Sequence, residues 1–510
     1  MDKLIIDGNS LTLEALEKVA LHKCTVELGD DSRIAVKASL KKVEVAVEKG
    51  AKVYGVTTGL GHLSEISIDA SQTRKLQENL ILTHCSGVGD EFPVETCRAM
   101  MLLRANALAK GFSGVRPLII DMLLQLLNSG VTSVIFQQGS VGASGDLVPL
   151  AHMALLLIGK GQARYKGELI EAPDALKIAK LEALELGPKE ALALVNGTQA
   201  MASVTSLTLL KAERLAQVAD IAGAMSLEAL GGTEAAFDER IQMVRPIPGQ
   251  KMVAANVRKI VKGSLITDPK LNPRIQDAYS LRCIPQVHGS VREILKFARY
   301  LLEIEINSAT DNPLIFPEDD AILSGGNFHG EPMAFASDFL AIGLSELSNI
   351  SDRRSARLND PHAADLPPSL SEHAGVGNCF GILQIVTASL VADNKSLAHP
   401  ASTDSVPTSA NQEDHVSMGL NAARKARDVA KNLEQVLAIE LICAAQALDF
   451  VGTDKCGAGT LSAHQEIRTC LPWVDGDTGR IFHYDIKKVA ELIQNNHLLE
   501  TVKKQIGKLD

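Results

Sequence analysis

The strongest constraint on this chain is the run from Pro188 to Pro246, where no proline interrupts a helical pattern that is apolar on more than one face. Val204, Leu207, Leu210, Leu215, Val218, Ile221, Met225 and Leu230 approximate helical spacing, and Ala202, Ala212, Ala216, Ala219, Ala222 and Ala224 leave much of the remaining surface small or apolar. A helix with so little polar surface must be surrounded. Similar patterns follow Val291, Met333, Asn378 and Asn421, so several long helices are expected to pack side by side as a bundle. Composition agrees: aromatics are only 4%, and alanine and leucine, which lose little freedom in a helix, fill the gap. The fold class predicted is mainly α, with a long-helix bundle and oligomerisation region over residues 201–510.

Residues 1–200 are more punctuated. Shorter helical patterns alternate with glycine-rich turns at Tyr54 to Gly61, Gly87 to Gly89 and Gly139 to Gly145, the kind of loop on which sites often sit. Residues 163–170 read as a small hairpin, but no run of alternating strands and helices indicates a parallel sheet. No internal repeat or low-complexity segment is visible.

The net charge of -10 argues against a general nucleic-acid or anionic-membrane partner. The most basic stretches, around Arg353-Arg354 and Arg424 to Arg427, lie in helical patterns where solvated faces and salt bridges explain them. The first twenty residues lack a secretory signal, and every apolar stretch is interrupted well before membrane length. Eight scattered cysteines without a Cys-x-x-Cys pair fit reduced thiols in a cytoplasm better than disulfides or zinc. A cytoplasmic location is expected.

Familiar catalytic signatures are incomplete. Gly59-Leu60-Gly61 lacks the third glycine of a dinucleotide loop, and Gly142-Ala143-Ser144-Gly145-Asp146 puts Asp146 where a serine-hydrolase elbow needs glycine. There is no His-Glu-x-x-His helix and no phosphate-binding Gly-x-x-x-x-Gly-Lys-Ser/Thr; no metal is implied. The segment Gly139 to Leu147 permits backbone chemistry instead. If the Gly145 nitrogen attacks the Ala143 carbonyl, three residues close a five-membered ring, and loss of water there and from Ser144 leaves an exocyclic methylidene, an electrophile. Gly145 offers no side chain to obstruct the approach. Taken alone, an Ala-Ser-Gly triplet is more often simply a turn.

In context, Gly139-Ser140-Val141-Gly142-Ala143-Ser144-Gly145-Asp146-Leu147, followed by Pro149 to Met153, resembles the signature of the histidine and aromatic amino-acid ammonia-lyases. Further matching segments occur in order at Tyr54 to Gly59, Leu82 to His84, Val195 to Thr198, Gln276 to Cys283, Gly326 to His329 and Ser409 to His415, so the resemblance spans most of the chain. Departures exist: Val134 to Gln138 stand where that family has prolines, Thr57 and Leu60 replace its common Asn and Phe, and Ala278 replaces a common Pro. None removes a proposed reacting group.

The resemblance implies a 4-methylideneimidazole-5-one made from Ala143, Ser144 and Gly145, no diffusible cofactor, and a homotetramer with active sites shared between chains. It implies Tyr54 as the base for the substrate's β-proton, which requires an environment that stabilises its phenolate, and Tyr279 near the developing charge. Arg282 suits the substrate carboxylate because a guanidinium donates two parallel hydrogen bonds. Asn196, Gln276 and Phe328 belong to the implied pocket. His84 and Glu413 resemble the histidine branch: imidazole offers two ring nitrogens, whereas a buried carboxylate beside a hydrocarbon ring is penalised. L-Histidine deamination to urocanate is the expectation. A phenylalanine or tyrosine lyase, or an aminomutase using the same electrophile, is the nearest alternative. A catalytically silent helical assembly fits poorly with Tyr54, Ala143-Ser144-Gly145 and Arg282 together.

Overall fold

A computed structural model describes residues 2–56, 58, 59, 68, 72–373, 375, 380–474 and 480–510. Thr57, Leu60 and Gly61 of the expected turn lie outside these residues, as does Asn378. The fold is mainly α: nineteen α-helices occur among the described residues, with only short strands between them. The five long patterns appear as helices Gln199–Ala229, Ile284–Glu305, Glu331–Leu358, Gly381–Leu397 and Gly419–Val451. The run between Pro188 and Pro246 is not one helix, however. Gly197, at φ +142°, separates the short helix Glu190–Val195 from Gln199–Ala229, and Gly231, at φ +61°, follows the long helix. Glycine takes such dihedrals without the Cβ penalty, so these two residues punctuate where proline is missing.

The chain forms two compact units, each drawn from three segments: residues 1–207, 299–338 and 400–424, and residues 208–298, 339–399 and 425–510. This partition differs from a single cut between residues 200 and 201, because residues 299–338 and 400–424, which are mostly loop, return to the first unit.

In the first unit, helix Val94–Ala109 is buried from Thr96 onward. Two arginines sit inside it. The Arg98 side chain donates to Val19 O and Leu127 O, adding a second donor to carbonyls near the ends of helices Leu13–Ala20 and Pro117–Ser129 whose backbone bonds come from His22 N and Gly130 N in the tightened last turn. Helix Pro117–Ser129 has proline in its first turn, where the missing N–H costs nothing, and Gly130 at φ +76° ends it. Gln162–Tyr165 and Glu168–Glu171 form the expected antiparallel hairpin, joined at one edge by Val131–Ser133. One departure is a small parallel pair, Asp2–Ile6 with Cys24–Leu28, connected through helix Leu13–Ala20. With only five residues per strand, it leaves too brief a pattern to read in sequence.

The second unit joins four long helices through buried charge. Asp220 accepts from His288 Nδ1, Arg292 and Asn256 at 2.8, 2.8 and 3.0 Å. Glu440 accepts from Ser226 at 2.7 Å, from Ser351 at 2.5 Å and from two Arg354 nitrogens. A buried carboxylate is tolerable only when its lone pairs are met in this way. No described helix is long and apolar enough to cross a membrane.

Candidate active site

Strand Phe136–Gln138 pairs antiparallel with Val88–Glu91 and delivers the chain into the Gly139 to Asp146 loop; helix Leu147–Leu157 carries it away. The loop folds back on itself. Gly142 and Gly145 form an isolated antiparallel bridge, at φ +75° and +74°. A Cβ built on Gly145 would stand 2.1 Å from Gly197 O, so a larger residue at this position is excluded by both dihedral and space.

That close approach lets the Asn196–Gly197 turn grip the loop. Asn196 Nδ2 donates to Ser144 O at 3.0 Å, Gly197 N donates to the same oxygen at 3.3 Å, and Asp146 N donates to Gly197 O at 2.7 Å. Two donors on one carbonyl draw electron density from the residue that would carry the methylidene. Asp146 anchors the other side: it is fully buried, with Oδ1 accepting from Ser140 Oγ and Oδ2 from Met201 N, both at 2.8 Å. Burial pushes its carboxyl up to about 6, against the lowering effect of these hydrogen bonds and of Arg104.

A cavity of about 350 Å³ opens over the loop. Its lining includes Tyr54, Ala143, Ser144, Asn196, Phe328 and Glu413, residues widely separated in sequence, together with His329 and His415. Asn196 Oδ1 is buried without a hydrogen-bond partner, leaving an acceptor for a bound amine. Glu413 faces the loop: its Oε1 accepts from Ser144 Oγ at 3.1 Å and its Oε2 from Thr408 Oγ1 at 2.7 Å. The turn presenting it is constrained. Ser409, Ala410 and Asn411 hold φ values of +50°, +54° and +65°, costly for residues with a Cβ, and Thr408 N donates to Glu413 O at 3.0 Å to close it.

The other expected site residues are not among those lining the cavity. His84 ends helix Thr73–His84 with Nδ1 2.8 Å from Leu80 O, and is not among the residues lining the cavity. Gln276, Tyr279 and Arg282 belong to the second unit, where they form their own cluster. The Arg282 guanidinium lies 4.6 Å from the centroid of the Tyr279 ring, and the Gln276 amide, with its oxygen toward Arg282, accepts from Nη1 at 2.9 Å. Tyr279 is 71% exposed.

His329, His415 and Asp146 received no role from sequence. The two histidines end the quoted segments Gly326 to His329 and Ser409 to His415, but nothing in sequence brings residues 86 positions apart together. Asp146 was read only as a mismatch to a hydrolase elbow. A carboxylate immediately after three small residues and before an apolar helix was the available signal.

Residues 11–469 match the family model for aromatic amino acid lyase. The histidine ammonia-lyase of Caldanaerobacter subterraneus subsp. tengcongensis is 49% identical over 506 residues, covering 99% of each chain, and that of Stigmatella aurantiaca is 49% identical over 502 residues, covering 98% of each. Among solved structures, histidine ammonia-lyase from Trypanosoma cruzi superposes with a TM-score of 0.92 at 38% identity, covering 99% of this chain and 96% of that one. Tyrosine aminomutase from Streptomyces globisporus gives 0.94 at 37% identity, covering 100% of both. The glycine-built loop and the cavity above it thus occur in a chain related over nearly its full length to these enzymes, and the chain belongs to the aromatic amino acid lyase family.

Proposed function

We propose that the protein is a histidine ammonia-lyase that converts L-histidine to urocanate and ammonia, the first step of histidine degradation, with an electrophile formed from Ala143, Ser144 and Gly145. The observation that carries this reading is Glu413 Oε1 on Ser144 Oγ inside the same cavity as Tyr54 and Asn196. The loop fits a 4-methylideneimidazole-5-one. Gly145 has the positive φ and the absence of a side chain that backbone attack on Ala143 requires, and Ser144 O, which remains a carbonyl in the ring, already meets two donors. Once formed, the group supplies a methylidene that accepts an electron pair and helps the amine leave.

The protein's own groups do the rest. Asn196 Nδ2–H and Gly197 N–H hold the Ser144 oxygen, Asn196 Oδ1 receives the substrate amine, and Tyr54 takes the β-proton. Dehydration of Ser144 removes the hydroxyl that occupies Glu413 Oε1, freeing that oxygen for an imidazole N–H. A phenyl ring offers no such donor and would leave the carboxylate uncompensated. Phe328 gives the ring an apolar wall. Arg282, with Gln276, is assigned to the substrate carboxylate and Tyr279 to the developing charge; His84 is assigned to the imidazole.

A homotetramer with shared active sites accompanies this reading. Ile275 at 98% exposure and Tyr279 beside it give the Gln276 to Arg282 cluster an apolar surface for a partner copy. The seven described cysteines are all free, which suits a cytoplasmic enzyme. The likeness to tyrosine aminomutase keeps one competing reading in view, in which the same electrophile returns a β-amino acid. Incubation with histidine, phenylalanine and tyrosine, with identification of every product, separates the two: urocanate and ammonia from histidine are expected, and a β-amino acid or preferential turnover of phenylalanine or tyrosine overturns the assignment. Peptide mapping should find the loop lighter by two waters, and light scattering should find no fully active monomer.

A further inference from the structure

His329, Glu331 and His415 stand together at the edge of the cavity, and neither the proposed reaction nor the sequence motifs give them work. Each offers one ligand atom, and the three atoms lie within 4.8 Å of one another. Two imidazoles and a carboxylate form the donor set that zinc and its neighbours take when three protein ligands leave a further position open.

The spacing of the histidines carries the argument. His415 Nδ1 lies 3.4 Å from His329 Nε2, and the rings are stacked at 26°. That distance is at the long limit for a hydrogen bond. It matches the separation of two nitrogens bound to one Zn²⁺ at ~2.0–2.1 Å with a near-tetrahedral angle, roughly 3.3 Å. Glu331 supplies a second, independent sign: its Oε2 is closed off from solvent and has no hydrogen-bond partner. A carboxylate oxygen held dry and unmet is costly unless a cation or donor faces it.

We propose that His329, Glu331 and His415 form a binding site for a divalent transition cation of the Zn²⁺ class. Without the cation, Glu331 N donates to His329 Nδ1 at 3.4 Å, so the His329 proton sits on Nε2 and points to His415. Binding through Nε2 moves that proton to Nδ1 and gives up both of these long hydrogen bonds in exchange for metal–nitrogen bonds from the two histidines. Both histidines also line the cavity, so the open coordination positions of the cation are available to water or to a ligand within it.

The test uses the intact assembled protein with Co²⁺ as a spectroscopic probe. One equivalent per chain should produce the visible d–d absorption of a four- or five-coordinate nitrogen–oxygen site, and Zn²⁺ should displace it. His415→Ala and Glu331→Gln should each weaken binding tenfold or more, whereas His497→Ala, in the C-terminal helix, should not change it. Thermal unfolding gives a second reading: Zn²⁺ should raise the Tm of the unsubstituted protein, and raise that of Glu331→Gln by less at the same Zn²⁺ concentration. No d–d band in the unsubstituted protein, a band of equal strength in both variants, or an unchanged Tm with Zn²⁺ overturns the site. Because neither readout needs substrate, failure here is separate from failure of the lyase reading, which the loop mass and product analysis judge.

Discussion

The carboxylate networks of the long helices and the groups lining the cavity treat polar side chains in opposite ways. In the second unit, Asp220 and Glu440 are closed on every side by helix-borne partners. In the first unit, the cavity groups keep an open valence: Asn196 Oδ1 has no partner, and Glu413 spends one oxygen on a hydroxyl that the proposed chemistry discards. Low dielectric makes both arrangements expensive when incomplete. At Asp220 and Glu440 the closed networks hold helices together, and at Asn196 and Glu413 the open acceptors face the cavity where a ligand is expected.

Four substitutions break or sharpen that contrast. Ser144→Ala should fold, keep its unfolding midpoint in urea within experimental scatter, and lose at least about a thousandfold in kcat, because no methylidene can form. Residual activity near the unsubstituted level would remove the loop from the mechanism. Glu440→Ala should do the reverse, leaving Arg354 buried without its partner at a cost of about 3–5 kcal/mol, while any protein that folds still shows the two-water mass loss. Unchanged stability would mean that the network is not what joins the helices.

Asp146 belongs with the closed groups despite its place beside the loop. Burial raises its carboxyl to about 6, so between about pH 4 and 6 the folded protein retains a proton that the unfolded chain has released. Its contribution to stability must then fall as pH rises through that window and level off above it, by about 3 kcal/mol in total. Asp146→Asn should flatten this decline in denaturant melts at pH 4, 5 and 6, and an identical slope in both proteins would contradict the shift. The smallest effect is expected at Glu413. Replacement by Gln or Ala should cost on the order of 1.5 to 3 kcal/mol in transition-state binding of histidine, roughly tenfold to above a hundredfold in kcat/KM, and less for any side activity on phenylalanine. An unchanged histidine efficiency in Glu413→Ala, with the loop mass intact, would remove the residue-level case for histidine.

Much of this was legible in the sequence because it is local. The long helices declare themselves through a period of 3.6 residues, the hairpin at residues 162–171 through its glycine turn, and the loop proposed to form the electrophile through its resemblance to a family signature. What stayed hidden depends on pairing at a distance. Gly197 is only one member of a matching segment in sequence, and its approach to Gly145 shows why no side chain fits at Gly145. His329 and His415 are unremarkable singly and become a donor pair only when their loops meet. The short parallel strands at residues 2–6 and 24–28 were missed for the same reason, since each is specified by its partner more than by its own pattern.

The Ser144–Glu413 hydrogen bond has a consequence for protein quality. Before dehydration, the serine hydroxyl fills the very acceptor assigned to imidazole, so an immature chain resembles a zymogen whose own side chain sits in the specificity subsite. Such a chain lacks the electrophile and is also a poorer binder of histidine. A preparation containing unmatured copies should therefore lose active-site titre without a corresponding rise in apparent KM, because the defective sites withdraw from competition for substrate instead of sequestering it.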